Sequence, residues 1–202
     1  MNVHTESLDR RNYWAHATAV FLEWIRKPSQ VASLVPSSSA LTRRIADRSC
    51  VREASKIVEL GPGTGGTTEA LLSSASPNCR VLAIEKAANF IGPLKAIGDP
   101  RLIVENDDVV GLGRLLLMHE MTSPDVIVSG IPFSCLSQQV AFDLIKSIHR
   151  NLADGGTFVA YQFRRDVAHF ARPHFGEPNS KIVWFNFPPL RVFTWTKPTS
   201  LK

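Results

Sequence analysis

The chain has 202 residues, 44% of them hydrophobic and 20% charged; this ordinary globular composition argues against an intrinsically disordered chain, and the length fits one domain with a single core. No run of about 18 or more apolar residues is present to span a bilayer, and the polar start Met1-Asn2-Val3-His4-Thr5-Glu6 lacks the apolar centre of a signal peptide, so a cytoplasmic location is the default. Cys50, Cys79 and Cys135 are too few and too scattered for a disulfide framework or a metal cluster, while a net charge of +5 favours an anionic partner, either nucleic acid or an acidic membrane surface.

In chain order, Trp14, Ala17, Phe21, Trp24 and Ile25 recur at helical spacing, with Arg10, Arg11, Arg26 and Lys27 near the ends. Such a stripe either packs on its own core or lies in a membrane interface, tryptophans at headgroup level and basic residues beside anionic lipid. Pro36-Ser37-Ser38-Ser39 supplies an N-cap for a second helix over 40–48. Residues 1–50 read as a helical lid, which contacts a membrane if the second alternative holds, and 51–202 as the main domain. Strand-length apolar runs follow at 56–60, 80–84, 102–104, 125–129, 157–162, 181–185 and 191–196. Helix-compatible stretches at 67–74, 87–97, 109–119 and 138–152 separate the first five. This alternation predicts a parallel sheet wrapped by helices on both faces. The last two strands are joined across Asn186-Phe187-Pro188-Pro189-Leu190, too short for a long helix, and read as an antiparallel hairpin at the sheet edge.

The chemistry concentrates in Ile57-Val58-Glu59-Leu60-Gly61-Pro62-Gly63-Thr64-Gly65-Gly66-Thr67-Thr68, an apolar strand, a glycine turn and the start of a helix. Glycines let the backbone approach a ligand and take positive φ, and the opening helix offers free N–H groups. Glu59 would repel a pyrophosphate but suits the cationic amino group of S-adenosylmethionine. Gly66-Thr67 stands where a triphosphate-binding loop needs Lys-Ser/Thr. Glu85 closes the second strand, where an acid accepts hydrogen bonds from ribose hydroxyls. After the third strand, Asn106-Asp107-Asp108 places carboxylates where an adenine amino group needs an acceptor. Asp108 fits better, with Leu112 four residues on; a slip to Asp107 stays open. The fourth strand runs into Ser129-Gly130-Ile131-Pro132-Phe133, at the sheet edge where the reactive methyl would lie. That turn offers carbonyls and an aromatic face suited to an amine becoming a cation, or it is an ordinary turn over a buried phenylalanine.

Leu60-Gly61-Pro62-Gly63-Thr64-Gly65, Ser129-Gly130-Ile131-Pro132-Phe133 and Phe187-Pro188-Pro189-Leu190-Arg191-Val192 together resemble the bacterial phospholipid N-methyltransferases. The likeness extends from Phe21 to Trp195 and includes Val35-Pro36-Ser37-Ser38. It implies a Rossmann-like class I methyltransferase fold: a mostly parallel seven-stranded sheet, a C-terminal antiparallel hairpin and N-terminal lid helices. It also implies S-adenosylmethionine on Glu59, Gly61, Gly63, Gly65, Glu85, Asp108 and Ser129, with no metal. The headgroup amine of a phospholipid such as phosphatidylethanolamine would lie near Ser129, Gly130, Pro132, Phe133 and Tyr161, at the cytoplasmic face of an anionic membrane. One departure stands out. The family has Gln-Phe-Thr-Tyr after the fifth strand, whereas Tyr161-Gln162-Phe163-Arg164-Arg165 carries two arginines, able to grip a lipid phosphate or signal a more acidic substrate.

The nearest rival is an rRNA adenine N6-methyltransferase, whose turn reads Asn-Ile-Pro-Tyr and whose asparagine accepts from the adenine amino group. Gly130 removes that side chain, and the expected hairpin is followed by too few residues for the helical domain RNA enzymes add, which weighs against nucleic acid. A small-molecule methyltransferase stays open, as substrates change with the lid while the sheet does not. So does a non-catalytic, S-adenosylmethionine-binding membrane-surface module. His169 and His174 lack a partner pattern and receive no role.

Overall fold

The structure is a computed structural model and describes residues 39–184 and 189–199. The N-terminal tryptophan stripe, most of the Pro-Ser-Ser segment, and Phe187 and Pro188 of the late motif lie outside the described residues. Helices α1 (Ser39–Ala46) and α2 (Ser49–Arg52) precede the sheet, so the expected division at residue 50 falls inside α2. The strands are β1 (Lys56–Leu60), β2 (Arg80–Ile84), β3 (Leu102–Glu105), β4 (Val126–Ser129), β5 (Thr157–Gln162), β6 (Asn179–Val183) and β7 (Leu190–Thr196). Between them run α3 (Gly66–Ser74), α4 (Ile91–Ala96), α5 (Leu112–Met118), α6 (Gln138–Asn151) and α7 (Asp166–Phe175). The stretches expected as helices over 87–97 and 109–119 each open with a 3-10 turn before α4 and α5.

The seven strands form one sheet in the order β3-β2-β1-β4-β5-β7-β6. The first five are parallel and β7 is antiparallel to both its neighbours. The hairpin expected at the edge is there, with one refinement. β7 inserts between β5 and β6, so of the hairpin's two strands it is β6 that lies at the edge. The chain reaches β6 through α7, a helix the sequence reading did not include.

Alternation along each central strand feeds two cores, as a sheet covered on both faces requires. Val58, Leu60, Leu82, Ile84, Ile127, Phe158 and Ala160 pack with α5, α6 and α7. Ile57, Val81, Val126, Val128 and Val159 pack with α1, α2 and α3. Phe158 stacks on its β7 partner Trp195 with ring centroids 5.1 Å apart, which locks β7 into the interior of the sheet. Truncating Phe158 to alanine would cost roughly 3–5 kcal/mol. This parity decides the site, because every second residue at the carboxyl ends of the strands must face α3.

Candidate active site

The register aligns Leu60 with Ile84 and Ser129, and Ser129 with Ala160. One residue further on, Glu85, Gly61, Gly130 and Tyr161 form a row across β2, β1, β4 and β5. The ladder continues into this row through Gly61 N–H to Ile84 O and Gly130 N–H to Leu60 O, both 2.9 Å. By the alternation, the row projects toward α3. An acid stands at one end and a phenol at the other, with two positions free of side chains between them. We term this row, with the Glu59 carboxyl beneath it, the trough. It lies between β1 and β4, where the strand order reverses and open α/β sheets bind ligands.

Two close approaches explain the glycines. A Cβ on Gly61 would lie 3.0 Å from the Ile131 side chain, and Gly61 takes φ +69°. A Cβ on Gly130 would lie 2.5 Å from the Tyr161 hydroxyl and 2.9 Å from Gly61 O, so no other residue fits without displacing backbone. Gly63 and Gly65 complete the loop at positive φ, and Gly65 opens α3.

Glu59 forms the floor of the trough. It is wholly buried, and its Oε2 accepts a 2.6 Å hydrogen bond from Thr68 Oγ1 in the first turn of α3. Its Oε1 is buried with no partner. Burial pushes the carboxyl up to about 7; the Thr68 bond opposes the shift and the nearby Glu85 adds to it. A buried carboxylate oxygen without a donor is costly. A cationic ligand group entering the trough would satisfy it, so the floor fits the ammonium of an amino-acid-bearing cofactor.

Glu85 is buried beside the glycine loop. Its Oε2 accepts from Gly63 N–H at 3.0 Å and its Oε1 from Ala87 N–H at 2.8 Å. Each oxygen keeps a second lone pair for a ligand hydroxyl. Asn106 ties the turn after β3 to the turn after β2 by donating to Glu85 O and Lys86 O. The two neighbouring aspartates separate in space. Asp107 pairs with Arg114 on α5, whereas Asp108 caps the 3-10 turn through Val110 N–H and meets Lys86 at 2.9 Å. The Val110 bond and then Lys86 hold the Asp108 carboxyl below its ordinary value. Asp108 is thus the aspartate brought beside the β2 turn.

In the turn after β4, Ser129 is fully buried and its Oγ accepts from Ile131 N–H within its own turn. Pro132 starts a 3-10 turn. Phe133 departs from the expectation of a ligand-facing ring: it is fully buried and tilted against Phe170 of α7, centroids 6.3 Å apart. The buried phenylalanine is the arrangement found. Gln162 links this turn to the arginine segment, its Oε1 accepting from Phe133 N–H and its Nε2 donating to Arg164 O. Arg164 pairs with Asp166 at 2.9 Å, and Arg165 is exposed at the start of α7. Thr68, Asn106 and Gln162 were not assigned by sequence. The threonine-rich helix start and the Gln-Phe pair were their visible traces.

Among the described residues, no group of three or more histidine, cysteine or acidic residues could hold a metal ion. No family model matches the chain. The ornithine lipid N-methyltransferase of Singulisphaera acidiphila is 30% identical over 178 residues, covering 85% of this chain and 91% of that protein. The ribosomal RNA small subunit methyltransferase A of Caulobacter vibrioides is 36% identical over 103 residues, which is 48% of this chain but 37% of that enzyme. Among solved structures, a Burkholderia thailandensis 1,6-didemethyltoxoflavin-N1-methyltransferase with S-adenosylhomocysteine bound superposes with a TM-score of 0.65. It is 18% identical, and the match covers 93% of this chain and 90% of that one. The N-methyltransferase NodS of Bradyrhizobium japonicum, also solved with S-adenosylhomocysteine, gives 0.64 at 15% identity, over 80% of this chain and 89% of that one. The likeness over nearly both full lengths is decisive: the chain is a class I S-adenosylmethionine-dependent methyltransferase and belongs to the family of the Singulisphaera ornithine lipid N-methyltransferase.

Proposed function

We propose that the protein transfers methyl groups from S-adenosylmethionine to the headgroup amine of a membrane lipid. The carrying observation is the row Glu85–Gly61–Gly130–Tyr161 above the orphaned Glu59 oxygen. It offers a polar cofactor cradle on one side and, beside the β4 turn on the other, the Tyr161 hydroxyl packed over Gly130. In this reading Glu59 takes the cofactor's ammonium, Glu85 its ribose hydroxyls and Asp108 its adenine amino group. Gly61, Gly63 and Gly65 let the backbone approach. When bound, the cofactor supplies a methyl group on a sulfonium, an activated donor with a neutral leaving group. The protein's part is to hold a neutral amine near contact distance in the attacking direction.

The lipid assignment draws on the relative that matches most of the chain and on the local charge. An ornithine lipid headgroup carries an aliphatic amine and a carboxylate, and phosphatidylethanolamine carries an amine and a phosphate. Next to Arg164, whose carbonyl Gln162 ties to the 129–133 turn and whose guanidinium pairs with Asp166, the exposed Arg165 offers a cation for either anion. Ornithine lipid is the first candidate because the relative's name carries it. No helix among the described residues is long and apolar enough to cross a membrane. A net charge of +5 and the basic, tryptophan-bearing N-terminal segment favour docking on an anionic surface. An rRNA substrate is disfavoured because a Cβ at Gly130 would already overlap Tyr161, leaving no room for an asparagine.

Thin-layer analysis of lipids from cells expressing the protein tests this reading. Mono-, di- or trimethylated ornithine lipid or phosphatidylethanolamine is expected. An unaltered lipid profile alongside folded protein that binds S-adenosylhomocysteine would overturn it.

A further inference from the structure

Gly130 separates Gly61 from Tyr161 in the row at the carboxyl edge, and its missing side chain is not empty space. A Cβ there would lie 2.5 Å from the Tyr161 hydroxyl oxygen and 2.9 Å from Tyr161 Cζ. The phenol, reaching across from β5, fills the direction in which a residue-130 side chain would project. Thr67 Oγ1, in the first turn of α3, donates to the same oxygen at 3.3 Å and fixes its position. A hydroxyl has two acceptor lone pairs and one proton, so beside the Thr67 bond the oxygen keeps a second acceptor position.

We propose that the Tyr161 hydroxyl holds the acceptor nitrogen, accepting one of its N–H bonds so that the nitrogen lone pair points at the methyl group. This rests on the lipid-amine reading above. Burial, then the charges of Glu59 and Glu85, raise the phenol's proton affinity above that of an ordinary tyrosine, against the Thr67 bond. The hydroxyl therefore keeps its proton and positions the amine rather than deprotonating it. In each round the amine lone pair forms the new N–C bond while the donor's C–S bond breaks and its electrons stay on sulfur. The resulting ammonium gives a proton to water before the next round.

Counting hydrogens gives the consequence. A primary amine brings two N–H bonds and a monomethyl amine one, but a dimethyl amine has none. The Tyr161 contact serves the first and second transfers and is absent from the third. The third methyl is thus added more slowly, and dimethylated product accumulates.

The test uses full-length protein in mixed micelles with ornithine lipid and its mono- and dimethylated forms as separate substrates, following S-adenosylhomocysteine release; the phosphatidylethanolamine series is run alongside. Tyr161→Phe should lower kcat about tenfold for the first two transfers, the scale of one hydrogen bond in the reacting geometry. The third should stay within about twofold, and S-adenosylhomocysteine affinity by calorimetry within about threefold. Thr67→Val, which frees the phenol to turn, should give the same order with smaller losses. Equal slowing of all three transfers, or none, overturns the inference while leaving the lipid reading intact. Inert wild-type protein on both lipid series overturns the lipid reading, and this inference with it.

Discussion

Glu59→Gln tests the floor of the trough. The folded protein holds this carboxyl at about 7 against an ordinary 4.5, chiefly because it is buried. That gap is worth on the order of 3 kcal/mol. The sign follows from linkage: the folded state binds the proton more tightly than the unfolded chain, so stability is full below the unfolded value. It falls as pH rises toward about 7 and is flat above. At pH 8 the ligand-free wild type therefore carries a buried carboxylate with one unpartnered oxygen. Glutamine keeps an acceptor for Thr68 and removes the charge, but leaves its amide short of partners. The net gain should be roughly 1–2 kcal/mol, or about 2–8 °C in thermal midpoint, and should vanish toward pH 6.

Binding should move the other way. A ligand ammonium pairs with ionised Glu59, so wild-type affinity for S-adenosylhomocysteine should rise from pH 6 to 8 and level off past about 7. The variant should bind roughly ten- to a hundredfold more weakly, with no such pH dependence. Calorimetric titration and thermal melts at both pH values read the two effects. A variant that binds as tightly as wild type, with the same pH profile, would refute the assignment of Glu59 to the ammonium.

Glu85→Ala should raise the S-adenosylhomocysteine Kd at least about tenfold with a loss of only a few degrees in melting, because water can reach the freed Gly63 and Ala87 N–H groups; unchanged calorimetric affinity would remove the ribose role. Gly130→Ala should destabilise by roughly 1–3 kcal/mol through overlap with Tyr161 and Gly61 O, measured by urea denaturation, and an unchanged midpoint would contradict the packing described. Deleting residues 1–26 should reduce sedimentation with anionic liposomes; equal pelleting of both forms would count against an interfacial N-terminal helix.

Much of this architecture is legible in the residues. β1, β2 and β5 occupy the stretches that their apolar runs predict, because strands buried on both faces must be continuously apolar. β6 lies two residues earlier than its apolar run suggests. It is an edge strand with most of its side chains in solvent, so hydrophobicity does not mark its ends. α7 is hidden by Pro173, a residue that argues against helix, although Val167, Phe170 and Ala171 form its buried face.

Within the site, the glycine loop and its acids are readable because the backbone itself needs those residues. The partners are not. Thr68 meets Glu59, Asn106 meets the Glu85 backbone, and Gln162 meets Phe133 only once strand register sets who faces whom. The same register exposes the overlap of Tyr161 with the Gly130 position, which sequence spacing cannot show.

Methyl-labelled S-adenosylmethionine, offered to the purified protein with ornithine lipid, phosphatidylethanolamine and unmodified small-subunit rRNA in parallel, tests the lipid-amine claim most directly. Label should enter the headgroup nitrogen of one of the two lipids and stay out of RNA. Label in adenine, with both lipids unlabelled, would contradict the account.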